Sequence, residues 1–238
     1  MHIPDGIVPA QVCIAGYGLT GLLTWYSLRK IQRQGNPNDS LPKASLLTAA
    51  FFVASSIYIP IPPSSVHLLL NGLLGVVLGY FAVPAILIGL LFQALIVGHG
   101  GLTTLGVNAT MMGIPALLAY HIFQLRFWVE KEQHKIDPRE ADHVSSGQLA
   151  QSGKRQRSLS LSLFAFLGGA LGLALTALIF MGIVITTVPA DFDASAERTA
   201  IFTLMLTHLP LALLEGGFTA MLVAFLQRVK PELLTGRS

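Results

Sequence analysis

Long apolar runs, broken by short polar stretches, organise this sequence. Mostly apolar residues fill about 8–28, 44–59, 66–82, 83–98, 103–125, 159–187 and 200–227. A helix that crosses a bilayer needs about 20 such residues in a row. The second run is shorter than the others. Almost nothing polar separates the third from the fourth, so residues 80–84 read as a tight hairpin. The pattern predicts an all-α integral membrane protein, a single membrane domain over 1–238 built as a bundle of about seven transmembrane helices.

Composition and charge fix the orientation. Of 238 residues, 53% are hydrophobic and only 11% charged, against roughly 25% charged in a soluble domain. All but one of the 15 Lys and Arg residues fall in three segments. The first holds Arg29, Lys30, Arg33 and Lys43, and the second runs from Arg126 to Arg157. The third is the tail with Arg228, Lys230 and Arg237. Basic loops stay in the cytosol. Seven spans put all three there only if the N-terminus is outside and the C-terminus cytosolic. The remaining cation, Arg198, sits in an acidic loop with Asp191, Asp193 and Glu197. The basic residues thus follow topology and imply no nucleic-acid partner, and the expected location is the cell membrane, crossed several times. Segment 126–158, rich in Gln, Ser, Gly and charge, reads as a flexible cytosolic linker. The opening Met1-His2-Ile3-Pro4-Asp5-Gly6 has no fixed positive charge before the first apolar run, unlike a cleaved signal peptide. One cysteine, Cys13, excludes an internal disulfide and a multi-cysteine metal site.

The seven histidines carry the candidate chemistry. His134 and His143 lie in the linker and His121 near the inner end of the fifth run. His2, His67 and His99 all map to the outer face, and His208 lies in the outer part of the last run. A free amine followed by histidine is a compact chelator. The Met1 amine, the His2 amide nitrogen and a His2 imidazole nitrogen close a five- and a six-membered ring around one ion. Only a strongly polarising metal displaces the amide proton, and tetragonal nitrogen sites suit Ni(II) or Cu(II), with cobalt also accepted by imidazole. His67, behind a Pro-rich turn, is the candidate fourth nitrogen. His99, in the turn Gly98-His99-Gly100-Gly101, is an alternative ligand or a neighbour that supports the others. Pro4 keeps Ile3 out of helical geometry and Asp5-Gly6 reads as a turn, so segment 1–7 folds back over the bundle. A second residue as large as His2 protects the initiator methionine, on which this chelate depends.

The opening hexapeptide resembles that of the CbiM/NikM family, the substrate-capturing membrane subunits of energy-coupling-factor transporters for cobalt and nickel. The likeness continues through Ser64-Ser65-Val66-His67-Leu68-Leu69, the run to Gly79, Gln93-Ala94, the stretch from Gly100 to Asn108, and Glu215-Gly216. It is weakest in the linker and the sixth run. The resemblance implies a metal held by the terminal amine, the His2 amide and imidazole, and His67. The ion, nickel or cobalt, is transported substrate, with a link to cobalamin biosynthesis. It also implies two cytosolic ATPases, a coupling transmembrane subunit and often a small accessory membrane subunit. Many relatives have Gly-Asp-Gly-Gly where this chain has Gly98-His99-Gly100-Gly101, so metal preference does not transfer with the fold. Four coplanar nitrogens lean toward nickel.

Asn108 and Glu215 are polar within apolar runs, where such groups are costly and are buried or functional. His208 and Glu215, seven apart, share a helix face. Gly16, Gly18, Gly21, Gly168, Gly169, Gly172 and Ala174 mark close helix contacts, inside the bundle or against a partner subunit. No Gly-x-x-x-x-Gly-Lys-Ser/Thr occurs, so the chain has no ATPase motif of its own. An intramembrane hydrolase built on His208 and Glu215 lacks His-Glu-x-x-His and Gly-x-Ser-x-Gly, and the chain is expected not to be an enzyme. A stand-alone channel or secondary carrier is the alternative, without signs of an inverted repeat.

Overall fold

The computed structural model describes residues 2–34, 36–57, 59–61, 64–133, 146–187 and 194–235. Helix α1 (Ala10–Arg33) leads through a short 3-10 turn to α2 (Leu41–Ser55). A small antiparallel hairpin follows, β1 (Ile59–Ile61) with β2 (Ser64–Val66), in which Ile59 faces Val66. Then come α3 (Asn71–Leu78), α4 (Ala82–Phe92) with a π-helical turn at Gln93–Val97, α5 (Leu105–Gln133), α6 (Ser146–Thr187), α7 (Ala194–Val229) and the short α8 (Glu232–Thr235). Among the described residues, four helical stretches are long and apolar enough to cross a membrane: Asn71–Val97, Leu105–Val129, Ser158–Thr187 and Leu206–Val229. Helix α1 adds 24 residues and α2 only 15.

Asn71–Val97 is folded in two. A straight helix of its 27 residues would be about 40 Å long. Yet the His67 and His99 rings that bracket it lie 5.1 Å apart. The chain reverses at Gly79–Phe81, where Gly79 has φ +59° and ψ −125°, a conformation that only glycine adopts without strain. A side chain there would also press on the Tyr120 ring. The third and fourth apolar runs therefore form a hairpin, as expected from their junction, but it turns at 79–81 rather than 80–84, and residues 82–84 already belong to α4. The third helix is much shorter than its apolar run, because residues 64–66 pair as β2 and 67–70 remain non-helical. The polar segment after α5 differs from a simple linker at its edges: α5 continues to Gln133 and α6 begins at Ser146, while 134–145 lie outside the described residues.

The core runs along the middle of the bundle. Leu74, Ile86, Met111, Met112, Ala116 and Leu173 are fully buried between α3, α4, α5 and α6, with Phe51 of α2 against them. The outward faces are apolar as well: Trp128 is 78% exposed and Ile14 and Leu46 each 72%. Water would penalise so continuous an apolar exterior, whereas lipid tails match it. Small residues set the helix spacing. A Cβ at Gly75 would stand 1.9 Å from the Ala116 carbonyl oxygen, and one at Gly16 would strike Val107 at 2.5 Å. Of the glycines singled out in the sequence, Gly16, Gly168, Gly169 and Gly172 pack against neighbouring helices, whereas Gly18 and Gly21 face open space.

One crossing matters most for the site. Where α1 meets α5, Thr20 Oγ1 donates to the Gly106 carbonyl (2.6 Å) and pairs with Thr110 Oγ1 (2.8 Å), which also reaches the Gly16 carbonyl (3.2 Å). This polar seam, made possible by the glycines, locks the start of α1 beside the start of α5. The residues preceding α1 are thereby laid across the N-terminus of α5, at the bundle end that also carries His67 and His99.

Candidate metal centre

Backbone pairing, rather than side-chain packing alone, holds the N-terminal segment. The Ile3 N–H donates to Asn108 Oδ1 (2.9 Å), and Asn108 Nδ2 donates to the Ile3 carbonyl (3.0 Å), which also accepts from Thr104 Oγ1 (2.7 Å). One buried asparagine thus mimics a neighbouring strand. Ile3 itself is buried with Val8 and Val107. Asp5 then turns the chain, with Gly6 at φ +84°. Its Oδ1 accepts from the Thr103 amide (3.0 Å), the Thr103 hydroxyl (2.5 Å) and the Thr104 amide (3.2 Å). These donors lie in the turn that leads into α5, so a residue a hundred positions away ties down the start of that helix, where negative charge is also favoured by the helix dipole. The Thr103 hydroxyl, with the two amides, holds the Asp5 carboxyl below its ordinary range. Gly101 makes the approach possible, because a Cβ there would lie 1.9 Å from Asp5 Oδ1.

With the segment seated, His2 reaches His67 and His99. His2 Nδ1 lies 2.9 Å from His67 Nε2. The His2 and His67 ring centres are 4.9 Å apart and the planes nearly perpendicular, at 85°. His99 stands 4.2 Å from His2 and 5.1 Å from His67 by ring centres. One nitrogen from each ring lies within 4.8 Å of the others. His2 and His67 are buried and His99 half-buried. Met1, the other ligand expected from the sequence, lies outside the described residues.

Each histidine has a local reason for its place. His99 follows the π-helical end of α4: its N–H bonds to the Gln93 carbonyl (3.1 Å), and Gly98 and Gly100 on either side take φ +67° and +79°. His67 belongs to the non-helical stretch entering α3, whose next amides, Leu69 and Leu70, both donate to Glu215 Oε1 of α7. Leu70 has φ +51°, a left-handed conformation that a leucine adopts only under such constraint. Asn71 completes the anchorage, donating to the Met112 carbonyl (3.3 Å) and to Thr176 Oγ1 (2.8 Å). Glu215 is therefore a cap for the His67 segment, a role that its shared face with His208 did not suggest. His208 is itself buried on the same side of α7 and adds to the electrostatic environment of His67.

Two residues escaped the sequence reading as site components. Gln93 is fully buried and donates to Ser55 Oγ (2.5 Å). Its Oε1 and His2 Nε2 are both buried without a formed hydrogen bond. Ligating histidines commonly give their second ring N–H to a carbonyl oxygen, and Gln93 Oε1 is such an acceptor. Asp5 was read only as a turn former. A buried glutamine in an apolar run was the visible signal for the first. Nothing local announced that Asp5 would tie down the start of a distant helix.

The environment keeps the imidazoles neutral, as metal ligation requires. Burial, followed by nearby positive charge, lowers His67 to about 3 and His99 to about 4. His2 is also held well below its ordinary value, chiefly by burial, with the Gln93 carboxamide acting the other way. In the unfolded chain these groups titrate near 6.5. The unfolded state therefore binds more protons below that pH, and stability is full above about 6.5 and falls as pH drops toward about 3–4. For the metal-free protein, acidification from pH 7 to 4 is expected to cost roughly 3 kcal/mol at His67 alone. Thermal melts in detergent across that range check this. A His67→Asn variant is expected to lose that part of the pH dependence, and an unchanged slope would contradict it.

Comparison with known proteins gives the family and the fold. Residues 2–233 match the CbiM family, described as the cobalt uptake substrate-specific transmembrane region. A putative metal transport protein of Haemophilus influenzae is 28% identical over 234 residues, covering 98% of this chain and 97% of the relative. The fused nickel transport protein NikMN of Rhodobacter capsulatus is 31% identical over the whole chain, which spans 65% of that longer relative. The crystal structure of a truncated transition metal transporter superposes with a TM-score of 0.69 at 22% identity, over 96% of this chain and 99% of that one, and so shares the fold. The chain is a multi-pass membrane protein and belongs to the CbiM family.

Proposed function

We propose that this chain is the metal-capturing subunit of an energy-coupling-factor transporter, taking up Ni(II) or Co(II) from the outer face of the cell membrane. The observation that carries the reading is the buried contact of 2.9 Å between His2 Nδ1 and His67 Nε2. With metal–nitrogen bonds of about 2.0 Å, adjacent corners of a square of nitrogens are about 2.8 Å apart. The pair thus has the spacing of two neighbouring ligands before any ion arrives. A chelate from the Met1 amine, the His2 amide and His2 Nδ1 fills three corners, and His67 Nε2 fills the fourth, opposite the amide. The reading takes Met1 as the free amino terminus.

Relatives named for nickel and for cobalt transport support this cargo class. The absence of an ATPase motif in the sequence fits a subunit driven by others. The implied partners are two cytosolic ATPases, a coupling transmembrane subunit and a small accessory membrane subunit. Release follows when they reorient the subunit and pull the N-terminal segment from His67.

Calorimetric titration of nickel and cobalt tests the proposal, with intact mass confirming that Met1 is retained. The comparison is a chain carrying one extra residue before Met1. Tight binding by the native chain and its loss in the extended one is the expected result, because the added residue removes the amine and displaces the chelate. Equal binding by both would eliminate the amine as ligand and leave the three imidazoles, or a carrier path, to explain transport.

A further inference from the structure

We infer that His99 supplies a fifth nitrogen on the axis of the square, and that this biases the site toward cobalt(II). The inference rests on the chelate proposed above and adds a specificity-determining ligand to it.

The argument comes from the ring positions. For imidazoles bound to one ion with bonds of about 2.0 Å, ring centres fall about 4.4 Å apart when the ligands are adjacent and about 6.2 Å apart when opposite. The three observed separations are 4.2, 4.9 and 5.1 Å. All three pairs are therefore adjacent, and none is opposite. Within the square, His2 Nδ1 has two neighbours, its own amide nitrogen and His67. No in-plane corner remains that is adjacent to both His2 and His67. The third ring must lie off the plane, on the axis. Gly98 and Gly100, both at positive φ, give the residue between them a hinge on either side for the small inward movement that ligation needs.

An axial nitrogen does not serve the two candidate ions equally. Planar low-spin Ni(II) has eight d electrons, and its axial orbital is filled. Low-spin Co(II) has seven, and the same orbital holds a single electron. A nitrogen lone pair on the axis therefore strengthens the cobalt site and gives little to nickel. The equatorial square alone leans toward nickel. His99 is the side chain that offsets that lean.

Electron paramagnetic resonance of the anaerobic Co(II)-loaded protein reads this directly. The unpaired electron lies along the axis, so one axial nitrogen splits each high-field cobalt line into three. The native protein is expected to show that triplet. His99→Ala is expected to lose it while remaining low-spin, with cobalt affinity down roughly tenfold and nickel affinity changed less than about threefold. Native protein made with 15N-labelled histidine needs no substitution and is expected to show a doublet. A native low-spin signal without nitrogen splitting, or a triplet that survives in His99→Ala, would overturn the axial role and leave the chelate standing. A high-spin cobalt signal in the native protein, together with unchanged binding after N-terminal extension, would instead remove the chelate itself.

Discussion

Replacing His67 with alanine is expected to weaken nickel and cobalt binding on the order of 10²–10³-fold while leaving the bundle folded. Four-ligand protein sites bind with about 10–16 kcal/mol, so one nitrogen in four is worth about 3–4 kcal/mol. The bundle does not depend on that nitrogen. Ile3 stays clasped by Asn108 and Asp5 stays on the start of α5, so the N-terminal segment keeps its seat when His67 is gone. The variant loses the ring contacts of His67 with His2 and His99, which lie at the end of the bundle outside its core. Calorimetry with each metal, paired with a thermal melt of the same preparation, separates the two effects. An affinity within threefold of native would remove His67 from the ligand set.

The second large effect falls on Glu215. Its Oε1 receives both the Leu69 and the Leu70 amides, deep enough that no water replaces them. Glu215→Ala strands two buried donors, at about 1–3 kcal/mol each. It also frees Leu70 from a left-handed conformation that is itself unfavourable. The expected outcome is a loss of roughly 2–6 kcal/mol in stability, with metal affinity falling in step because His67 is two residues from Leu69. Glu215→Gln keeps an acceptor oxygen at the same place and is expected to retain most of both. The two variants, compared by melting temperature and by titration, distinguish loss of the acceptor from loss of a charge. If Gln and Ala behaved alike, the carboxylate's charge rather than its capping would be the important property.

Periodicity and length made the helical bundle legible, since lipid leaves the backbone few choices beyond helices. The reversal at Gly79–Phe81 was visible as a missing polar break between two apolar runs. The shortness of α3 was not, because Val66 and Leu68 to Leu70 are as apolar as a helix interior; the pairing of Ser64–Val66 with Ile59–Ile61 and the capture of the Leu69 and Leu70 amides by Glu215 withdraw the stretch. The histidines were legible as residue types at one end of the bundle. Their mutual distances were not, since these depend on the Gly16–Val107 and Gly106–Tyr17 approaches that align α1 with α5. Asn108 stood out as a polar residue in an apolar run, but its partner is backbone, which no sequence pattern names. The same holds for Glu215, whose Oε1 accepts from the Leu69 and Leu70 amides, the second on a left-handed residue that propensity would never propose.

The clasp of Ile3 by Asn108 also bears on how long an ion would stay on the proposed chelate. Joined to α1 at Pro9, the undocked segment remains within about 25 Å of its seat. That tether corresponds to a local concentration in the millimolar range or above. An empty segment therefore reseats far faster than a free peptide of the same sequence would. Opening requires the rupture of the Ile3 and Asp5 hydrogen bonds in addition to any bond between the held cation and His67. On the proposed chelate, residence time then depends on the peptide leaving its groove as well as on the metal–His67 bond, and a partner that grips those few residues would speed discharge without touching the ion.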